Sequence, residues 1–292
     1  MTETILVTGA TGTVGSEVVR QLSTKGEIVK AAARSANDTT FSHLNGVQTV
    51  QLDLSSTDTI ASAFQGVDKL FLLTPFQSNM VDLTSNLVNV AKNTKIKHIV
   101  KLSVMGADAE PGITPSRLHR QAEKIIEESE IPFTFLRPNF FMQNFVNFFS
   151  QTIKSQNAFY VAAGDGKISM VDVRDIASVA AHVLTSSNDG DRHVGKAYNI
   201  TGGEALSYYQ VAEILSREIG KKISYVNISD EDARKGMKDA GADDWTINSM
   251  IELFGIIRAG YAAAVSPTVE QITGNRPISF SQFARDNTTS FK

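Results

Sequence analysis

Short apolar runs alternate along the first half of the chain with longer stretches in which apolar residues recur every three or four positions. The short runs predict buried strands, and the longer stretches predict amphipathic helices. Such alternation is typical of an α/β fold in which right-handed helical crossovers join the strands of a doubly wound parallel sheet. The predicted strands are residues 5–7, 28–33, 47–52, 69–73, 98–103 and 133–136, and the predicted helices are 12–25, 57–64, 80–94 and 115–129.

After residue 138 this regular alternation ends. We expect an aromatic-rich helix, a turn at 164–166, a strand ending at Met170 and a helix over 173–184. The later predicted elements are strands at 198–200 and 223–226 and helices at 208–219, 230–240 and 243–261. The chain is expected to form two interleaved parts: residues 1–138 with about 168–202, and a smaller α+β region of 139–167 with 203–292.

Three glycines, Gly9, Gly12 and Gly15, lie between the first predicted strand and the first predicted helix. Glycine permits a sharp turn, lets the backbone lie against a pyrophosphate and allows close helix–strand packing, while a helix start offers free N–H groups to phosphates. The alternative is a glycine loop that serves only strand–helix packing. We expect a Rossmann-type dinucleotide-binding domain whose phosphate contacts are Gly9, Ala10, Thr11, Gly12, Thr13, Val14 and Gly15.

The residue after the second predicted strand indicates which dinucleotide binds. Arg34 stands about 20 residues past the last glycine, where an NAD-binding fold places Asp or Glu. Its guanidinium can pair with a ribose 2′-phosphate through two charge-assisted hydrogen bonds, and Ser35 can add a hydroxyl. We therefore expect NADP(H) to bind in preference to NAD(H). The alternative for Arg34 is a solvated surface charge.

The composition and charge of the chain disfavour several classes of function. The 292 residues are 42% hydrophobic and carry a formal net charge of -3, and no long basic run indicates nucleic-acid binding. The chain contains no cysteine, which excludes disulfides, thiolate–zinc sites and thiol nucleophiles. Neither a signal-peptide pattern nor an apolar run of membrane-spanning length occurs, so we expect a cytoplasmic protein without a membrane partner.

Motifs spread over nearly the whole chain form one set, at residues 8–15, 34, 52–53, 136–141, 164–166, 171–177 and 273–277. This set resembles the atypical short-chain dehydrogenases/reductases, and more narrowly the NmrA-like family. The family includes NADPH-dependent reductases of quinones and dyes, and also regulators that bind the dinucleotide without turning it over. The resemblance implies that Asp53 and Leu54 lie near the adenine, and that the ribose and nicotinamide lie near Leu73, Thr74, Pro75 and Phe76.

The Tyr-x-x-x-Lys pair that most of that wider superfamily uses for proton exchange is absent, and the matching helix carries His119 and Glu123 at i and i+4. Its absence disfavours interconversion of alcohols and ketones, whereas a quinone or dye gives a delocalised product that one hydrogen-bond donor can protonate. His119 is the candidate catalytic donor, because an ordinary pKa near 6.5 permits either charge state. The alternatives are a surface pair with Glu123 and a metal site, but no further ligand is identifiable, and we expect no metal.

Candidate substrate contacts follow the fifth and sixth predicted strands. Ser103 is expected to hydrogen-bond the substrate or the nicotinamide as a second catalytic residue, or else to cap local backbone. A flat slot for a small planar aromatic substrate is expected from Phe76, Asn139, Phe140 and Phe141.

Three further features of the sequence concern the surroundings of the predicted site. Residues 106–116, with their glycines and prolines, form a mobile lid or an ordinary surface loop. Trp245, the single tryptophan, lines the substrate pocket or simply packs. Helical spacing places four phenylalanines on one face, of which the last three are expected in the core: Phe141, Phe145, Phe148 and Phe149.

The function that fits best is an NADPH-dependent oxidoreductase that transfers hydride to a quinone-like or dye-like acceptor. The alternative is a non-catalytic NADP(H) sensor, for which a protein partner is expected, and the absent Tyr-x-x-x-Lys pair favours it. A sugar-nucleotide epimerase ranks third, because it also needs the missing tyrosine.

Overall fold

The computed structural model describes residues 3–186 and 192–292. Its strands are β1 (Thr4–Val7), β2 (Ile28–Ala33), β3 (Val47–Gln51), β4 (Lys69–Leu72), β5 (His98–Leu102), β6 (Phe133–Pro138), β7 (Ala158–Val161), β8 (Lys167–Ile168), β9 (Lys196–Ile200), β10 (Leu206–Ser207) and β11 (Ser224–Asn227). Its α-helices are α1 (Thr13–Thr24), α2 (Thr57–Ala63), α3 (Met80–Lys92), α4 (Thr114–Glu127), α5 (Ser150–Gln156), α6 (Val173–Thr185), α7 (Tyr208–Ile219), α8 (Asp230–Asp239), α9 (Asp244–Arg258), α10 (Thr268–Thr273), α11 (Phe280–Asp286) and α12 (Thr288–Phe291). None of the helices in these described ranges is both long enough and apolar enough to cross a membrane.

Seven strands form the central sheet in the order β3-β2-β1-β4-β5-β6-β9. Strands β1 to β6 pair in parallel, which is the strand order and direction of a doubly wound dinucleotide-binding sheet. The predicted fold is therefore confirmed, and each of the six predicted strands ends within two residues of its observed ends. Strands β2 and β3 lie on one side of β1, and strands β4, β5 and β6 lie on the other, so the strand order reverses between β1 and β4. Folds of this kind bind ligands beyond the carboxyl ends of the strands at that point.

The chain divides into two compact units, of which the first comprises the residues up to Gly112, Ser116–Pro138 and Ile176–Asn199. Its inner strands β1, β4 and β5 are almost wholly buried because helices cover both faces of a parallel sheet. The buried residues that form one core cluster include Leu6, Leu70, Leu87, Ile99 and Phe135.

The second unit comprises Ile113–Pro115, Asn139–Asp175 and Ile200–Lys292. Here β8 pairs antiparallel with β10, and β7 pairs in parallel with β11. This division differs from the sequence expectation, which assigned residues 168–175 and 200–202 to the nucleotide-binding part. Ile168 pairs with Leu206, so β8 completes a local two-stranded ribbon instead of returning to the central sheet.

The segment after β6 is extended and does not continue as the predicted aromatic helix. Val171 N donates to Phe140 O and Met142 N donates to Val171 O, both at 2.9 Å. Phe141 accordingly forms a parallel bridge with Val171. Phe141 therefore does not share a helical face with the later phenylalanines.

Helical structure resumes as a single π-helical turn over Phe145–Phe149. Phe145 is buried and packs edge-on against Phe159 at 5.2 Å, and Phe149 packs against both rings. Phe148 is 71% exposed, so its predicted place in the core is wrong. The wider i→i+5 turn puts residues four apart on one face and turns the residue three apart away from it.

Candidate active site

The residues predicted to bind the cofactor all lie just beyond the carboxyl ends of strands in the first unit. Residues 9–15 follow β1, residues 34–35 follow β2, residues 53–54 follow β3 and residues 73–75 follow β4. Because these four strands are neighbours in a parallel sheet, the four segments lie side by side along one edge.

The turn after β1 requires glycine for steric reasons. Gly9 has a φ of +62°, and a Cβ there would lie 2.6 Å from Leu73 Cδ2. Gly12 N donates to Gly9 O at 3.0 Å, and a Cβ on Gly15 would lie 2.1 Å from the same oxygen. Gly12 itself is exposed at the start of α1. The turn thus combines close strand–helix packing with an exposed backbone at a helix N-terminus, where phosphates bind.

Arg34 and Ser35 are exposed beyond β2. Within the described parts of the chain, the guanidinium of Arg34 makes no hydrogen bond or ion pair, and Ser35 Oγ accepts from Asn37 N at 3.2 Å. Asp53 lies beyond the adjacent strand, where hydrogen bonds from Ser55, and to a smaller extent the charge of Arg34, lower its pKa. Asp53 is therefore ionised and the Arg34 guanidinium remains available to an anionic ligand.

A buried hydroxyl lacks a partner at the end of β4. Thr8 Oγ1 donates to Leu73 O and accepts from Leu73 N, both at 2.8 Å, which ties the end of β1 to the segment after β4. The next residue, Thr74, is buried, and its Oγ1 has no hydrogen-bond partner among the described residues. An unsatisfied buried hydroxyl is costly and calls for a partner that a ligand can provide. The glycine turn and Arg34 fit the phosphates of a bound dinucleotide, and the Thr74 hydroxyl fits a further polar contact to it.

The candidate catalytic residues lie where β5 faces α4, and they form two side-by-side contacts between the strand and the helix. Lys101 and Ser103 are two residues apart along the strand direction, and His119 and Glu123 are one helical turn apart. The rise of about 6.6 Å over two strand residues matches about 6 Å over four helical residues. This match lets Lys101 face His119 while Ser103 faces Glu123.

In the first contact, Lys101 Nζ lies 3.1 Å from His119 Nδ1 and donates to Leu102 O at 2.9 Å. Burial, partly offset by the charge of Glu123, lowers the pKa of Lys101 from 10.5 to about 8. Burial and the neighbouring Lys101 charge lower the pKa of His119 well below 6.5. Because an ammonium only donates, Nδ1 is the acceptor and the ring proton lies on Nε2. His119 is therefore neutral at neutral pH, and the expectation that either charge state is accessible is wrong.

In the second contact, the fully buried carboxylate of Glu123 accepts from Ser103 Oγ at 2.6 Å. Arg137 donates to both of its oxygens, at 2.9 and 2.8 Å, and also to Asp108 at 2.6 Å. A surface pair between His119 and Glu123 is thus wrong, because Glu123 is committed to Arg137 and Ser103. The Ser103 hydroxyl donates its O–H to Glu123, so only its oxygen lone pairs are available to a ligand.

The residues of the predicted aromatic slot fall in different units. Phe76 is 44% exposed in the first unit. Phe140 and Phe141 are half-buried in the second unit. Asn139, also in the second unit, is buried and donates to Ser169 Oγ and Ala262 O at 2.8 and 2.9 Å. Its amide is thereby occupied within the fold, and the aromatic slot stays a prediction.

Two buried cations of this site, Lys101 and Arg137, were not predicted from the sequence. The sequence held a signal for both, because each is a cation inside a largely apolar strand, in the runs His98–Leu102 and Phe133–Pro138. A buried cation needs a partner, and burial of a lysine in a strand that precedes the candidate helix predicts a perturbed pKa. The partner itself follows only from the packing of α4 on β5.

The fold and the glycine turn define a protein of the Rossmann dinucleotide-binding class. Within that class, the model of the NmrA-like family matches residues 1–276. The chain belongs to the NmrA-like family, as its motifs predicted.

Similar proteins cover nearly the whole chain. The NAD(P)H azoreductase of Xenophilus azovorans is 36% identical over 287 residues, which are 98% of this chain and 99% of that protein. The solved structure of the NADPH-dependent quinone oxidoreductase of Escherichia coli, complexed with NADPH, has a TM-score of 0.84 at 26% identity and covers 97% of this chain and 98% of its own. The triphenylmethane reductase of Citrobacter sp., complexed with NADP(H), has a TM-score of 0.83 at 25% identity and covers 99% of this chain and 100% of its own.

Proposed function

We propose that this protein uses NADPH to reduce a planar acceptor, a quinone or an azo or triphenylmethane dye, by direct hydride transfer. The broader expectation of an NAD(P)H-dependent oxidoreductase is confirmed by relatives of that class that match nearly the full chain. The chemical class of the electron acceptor is the step that we infer. The relatives named for azo compounds, quinones and triphenylmethane dyes support this inference, since all these acceptors are extended conjugated systems.

NADP(H) is the cofactor of this proposal, and when bound it supplies the hydride. Its expected use is confirmed by relatives solved with NADPH or NADP(H). In this chain, residues 9–15 would hold the pyrophosphate, and Arg34 with Ser35 would hold the 2′-phosphate. Thr74, with its unsatisfied hydroxyl, would contact the part of the cofactor that lies beyond β4.

The observation that carries the proposal is the contact between Lys101 Nζ and His119 Nδ1. Hydride transfer to a quinone or an azo group leaves an anion that is one proton short, whereas a cationic triphenylmethane dye becomes neutral by the hydride alone. His119 Nε2–H gives that proton to the reduced oxygen or nitrogen, and Nδ1 takes a proton from Lys101, which ends as a neutral amine and is recharged from solvent. A pKa of about 8 keeps Lys101 charged at neutral pH and still lets it release a proton.

The same contact favours acceptors whose reduced form is stabilised by conjugation. A neutral imidazole is a weak acid and gives little assistance at an isolated ketone, where the developing charge stays on one oxygen. A quinone or dye spreads that charge by conjugation and needs only a hydrogen bond from the imidazole N–H. Phe76, Phe140 and Phe141 are the residues that we expect to stack on such an acceptor.

The proposal is tested by measuring NADPH oxidation with matched acceptors: a naphthoquinone, an azo dye, a triphenylmethane dye and a simple aliphatic ketone. We expect turnover with at least one conjugated acceptor and none with the ketone. Turnover with the ketone alone would overturn the proposed acceptor class. Tight NADPH binding without turnover on any acceptor would leave the sensor as the function.

A further inference from the structure

Helices α8 and α9 border a cleft of about 440 Å³ in the second unit that the proposed hydride transfer does not use. Four of the α9 residues along it, Trp245, Asn248, Ser249 and Glu252, are spaced i, i+3, i+4 and i+7, which places them on one face of the helix. The side chains that line it include Thr114, Arg234, Trp245, Asn248, Ser249 and Glu252.

A buried hydroxyl at this cleft has no partner. Ser249 is 1% exposed, and within the described residues its Oγ makes no hydrogen bond. Most serines in helices use the carbonyl one turn back or point to solvent. Ser249 does neither, so a ligand that enters the cleft with a hydrogen-bond acceptor would satisfy it.

The polar groups of the cleft are predominantly donors once their internal contacts are counted. Arg234 is exposed, and the one hydrogen bond that its guanidinium makes in the described chain is to Asn248 Oδ1, at 2.6 Å. The Asn248 oxygen is thereby used and its amide N–H₂ remains. Both oxygens of Glu252 accept from Thr114, one from its N–H at 2.6 Å and one from its hydroxyl at 3.1 Å.

The lining thus offers an indole ring, a guanidinium, an amide and a hydroxyl. A ring stacks on tryptophan, and a guanidinium pairs best with a carboxylate or sulfonate. Glu252 lies one helical turn beyond Asn248, so its charge disfavours a second acidic group at that end of the cleft.

We propose that this cleft is a binding site for a planar aromatic monoacid, with the ring against Trp245, the acid group at Arg234 and an acceptor on the ring at Ser249. The site does not depend on the reductase activity. Its ligand is held by one unit and needs no bound dinucleotide.

Trp245 is the single tryptophan of the chain, so intrinsic tryptophan fluorescence reports on this cleft alone. The experiment titrates para-nitrobenzoate, a planar acid that quenches tryptophan, and its neutral analogue para-nitrobenzamide into cofactor-free protein. N-acetyltryptophanamide in the same buffer corrects for absorption and for collisional quenching. We expect saturable quenching by the acid, and binding of the amide about 10-fold weaker or less.

Three variants locate the contacts. Arg234→Gln is expected to weaken the acid about 10-fold, to the level of the amide, and Ser249→Ala is expected to weaken both ligands several-fold. Lys235→Gln removes a neighbouring charge from α8 that lies outside the cleft and pairs with Asp239, and it is expected to change neither ligand by more than about 2-fold.

Quenching that does not saturate, or equal affinity for acid and amide, would overturn the site. So would equal losses in Arg234→Gln and Lys235→Gln, which would indicate attraction by net charge only. Because the readout needs neither NADPH nor turnover, its failure leaves the proposed reductase untouched, and failure of turnover leaves this site untouched.

Discussion

Replacement of Lys101 by methionine tests both the buried ammonium and its place in proton transfer. The substitution keeps the length of the side chain and removes the charge. Folding lowers the pKa of Lys101 from 10.5 to about 8, so between these pH values the unfolded chain binds the proton that the folded protein has lost. The stability of the wild type relative to Lys101→Met must therefore rise with pH across this window. At about 1.4 kcal/mol per pH unit, the relative gain is about 3 kcal/mol.

Urea unfolding of both proteins, just below pH 8 and again near pH 10.5, measures this gain. Lys92→Met is the matched control, because Lys92 is exposed in the last turn of α3 and its replacement removes a lysine charge without emptying a buried site. A free-energy difference between wild type and Lys101→Met that stays flat from pH 8 to 10.5 would refute the buried-ammonium interpretation.

Turnover gives a second, independent readout of the same substitution. The wild-type rate should fall as the pH rises through about 8, because Lys101 then no longer holds the proton that it gives to His119. Lys101→Met should lack this fall and should be roughly 10²-fold slower at neutral pH, with NADPH affinity unchanged. The same pH profile in both proteins would show that Lys101 takes no part in proton supply.

Three further substitutions test the cofactor site and the buried ion pair. Arg34→Ala should weaken NADPH binding about 10-fold or more while NADH binding changes little, as measured by calorimetric titration; equal losses would refute the 2′-phosphate assignment. Gly15→Ala places a Cβ 2.1 Å from Gly9 O and should cost roughly 1–3 kcal/mol of stability in urea and weaken NADPH, whereas Gly236→Ala, with open space around it in α8, should be neutral or stabilising. Glu123→Gln should lower the free energy of unfolding by about 3 kcal/mol, because Arg137 loses its buried charged partner. A measured decrease below about 1 kcal/mol would contradict this expectation.

The parts of the fold that sequence predicted well are those with local signals. Helix α7 begins and ends at the predicted residues, because Ser207 and Gln210 form a capping box and Gly220 ends the helix with a φ of +79°. Strands β1 and β2 were equally clear, since each is a short, largely apolar run followed by a turn rich in polar residues or glycine. The cofactor segments follow from those strands, because residues beyond neighbouring parallel strands must meet at one edge.

What the sequence did not predict depends on packing between distant segments. The pairing of Lys101 with His119, and of Glu123 with Arg137, is set by how α4 lies on β5 and β6, which no local pattern encodes. The prediction that Phe148 lies in the core was wrong for a related reason. Apolar spacing distinguishes a strand from a helix, but it does not distinguish an α-helical from a π-helical turn, and that difference decides which phenylalanine faces the core.

The most direct test of the account is a single turnover. Protein loaded with one equivalent of NADPH is mixed with an excess of a naphthoquinone, and the loss of the reduced nicotinamide absorbance is followed in a stopped-flow instrument beside the same reaction without protein. We expect every bound NADPH to be oxidised faster than in solution, and we expect His119→Phe to slow this oxidation without loss of NADPH binding. Bound NADPH that stays reduced with the naphthoquinone, and also when an azo dye or a triphenylmethane dye takes its place, would contradict the assignment as a reductase.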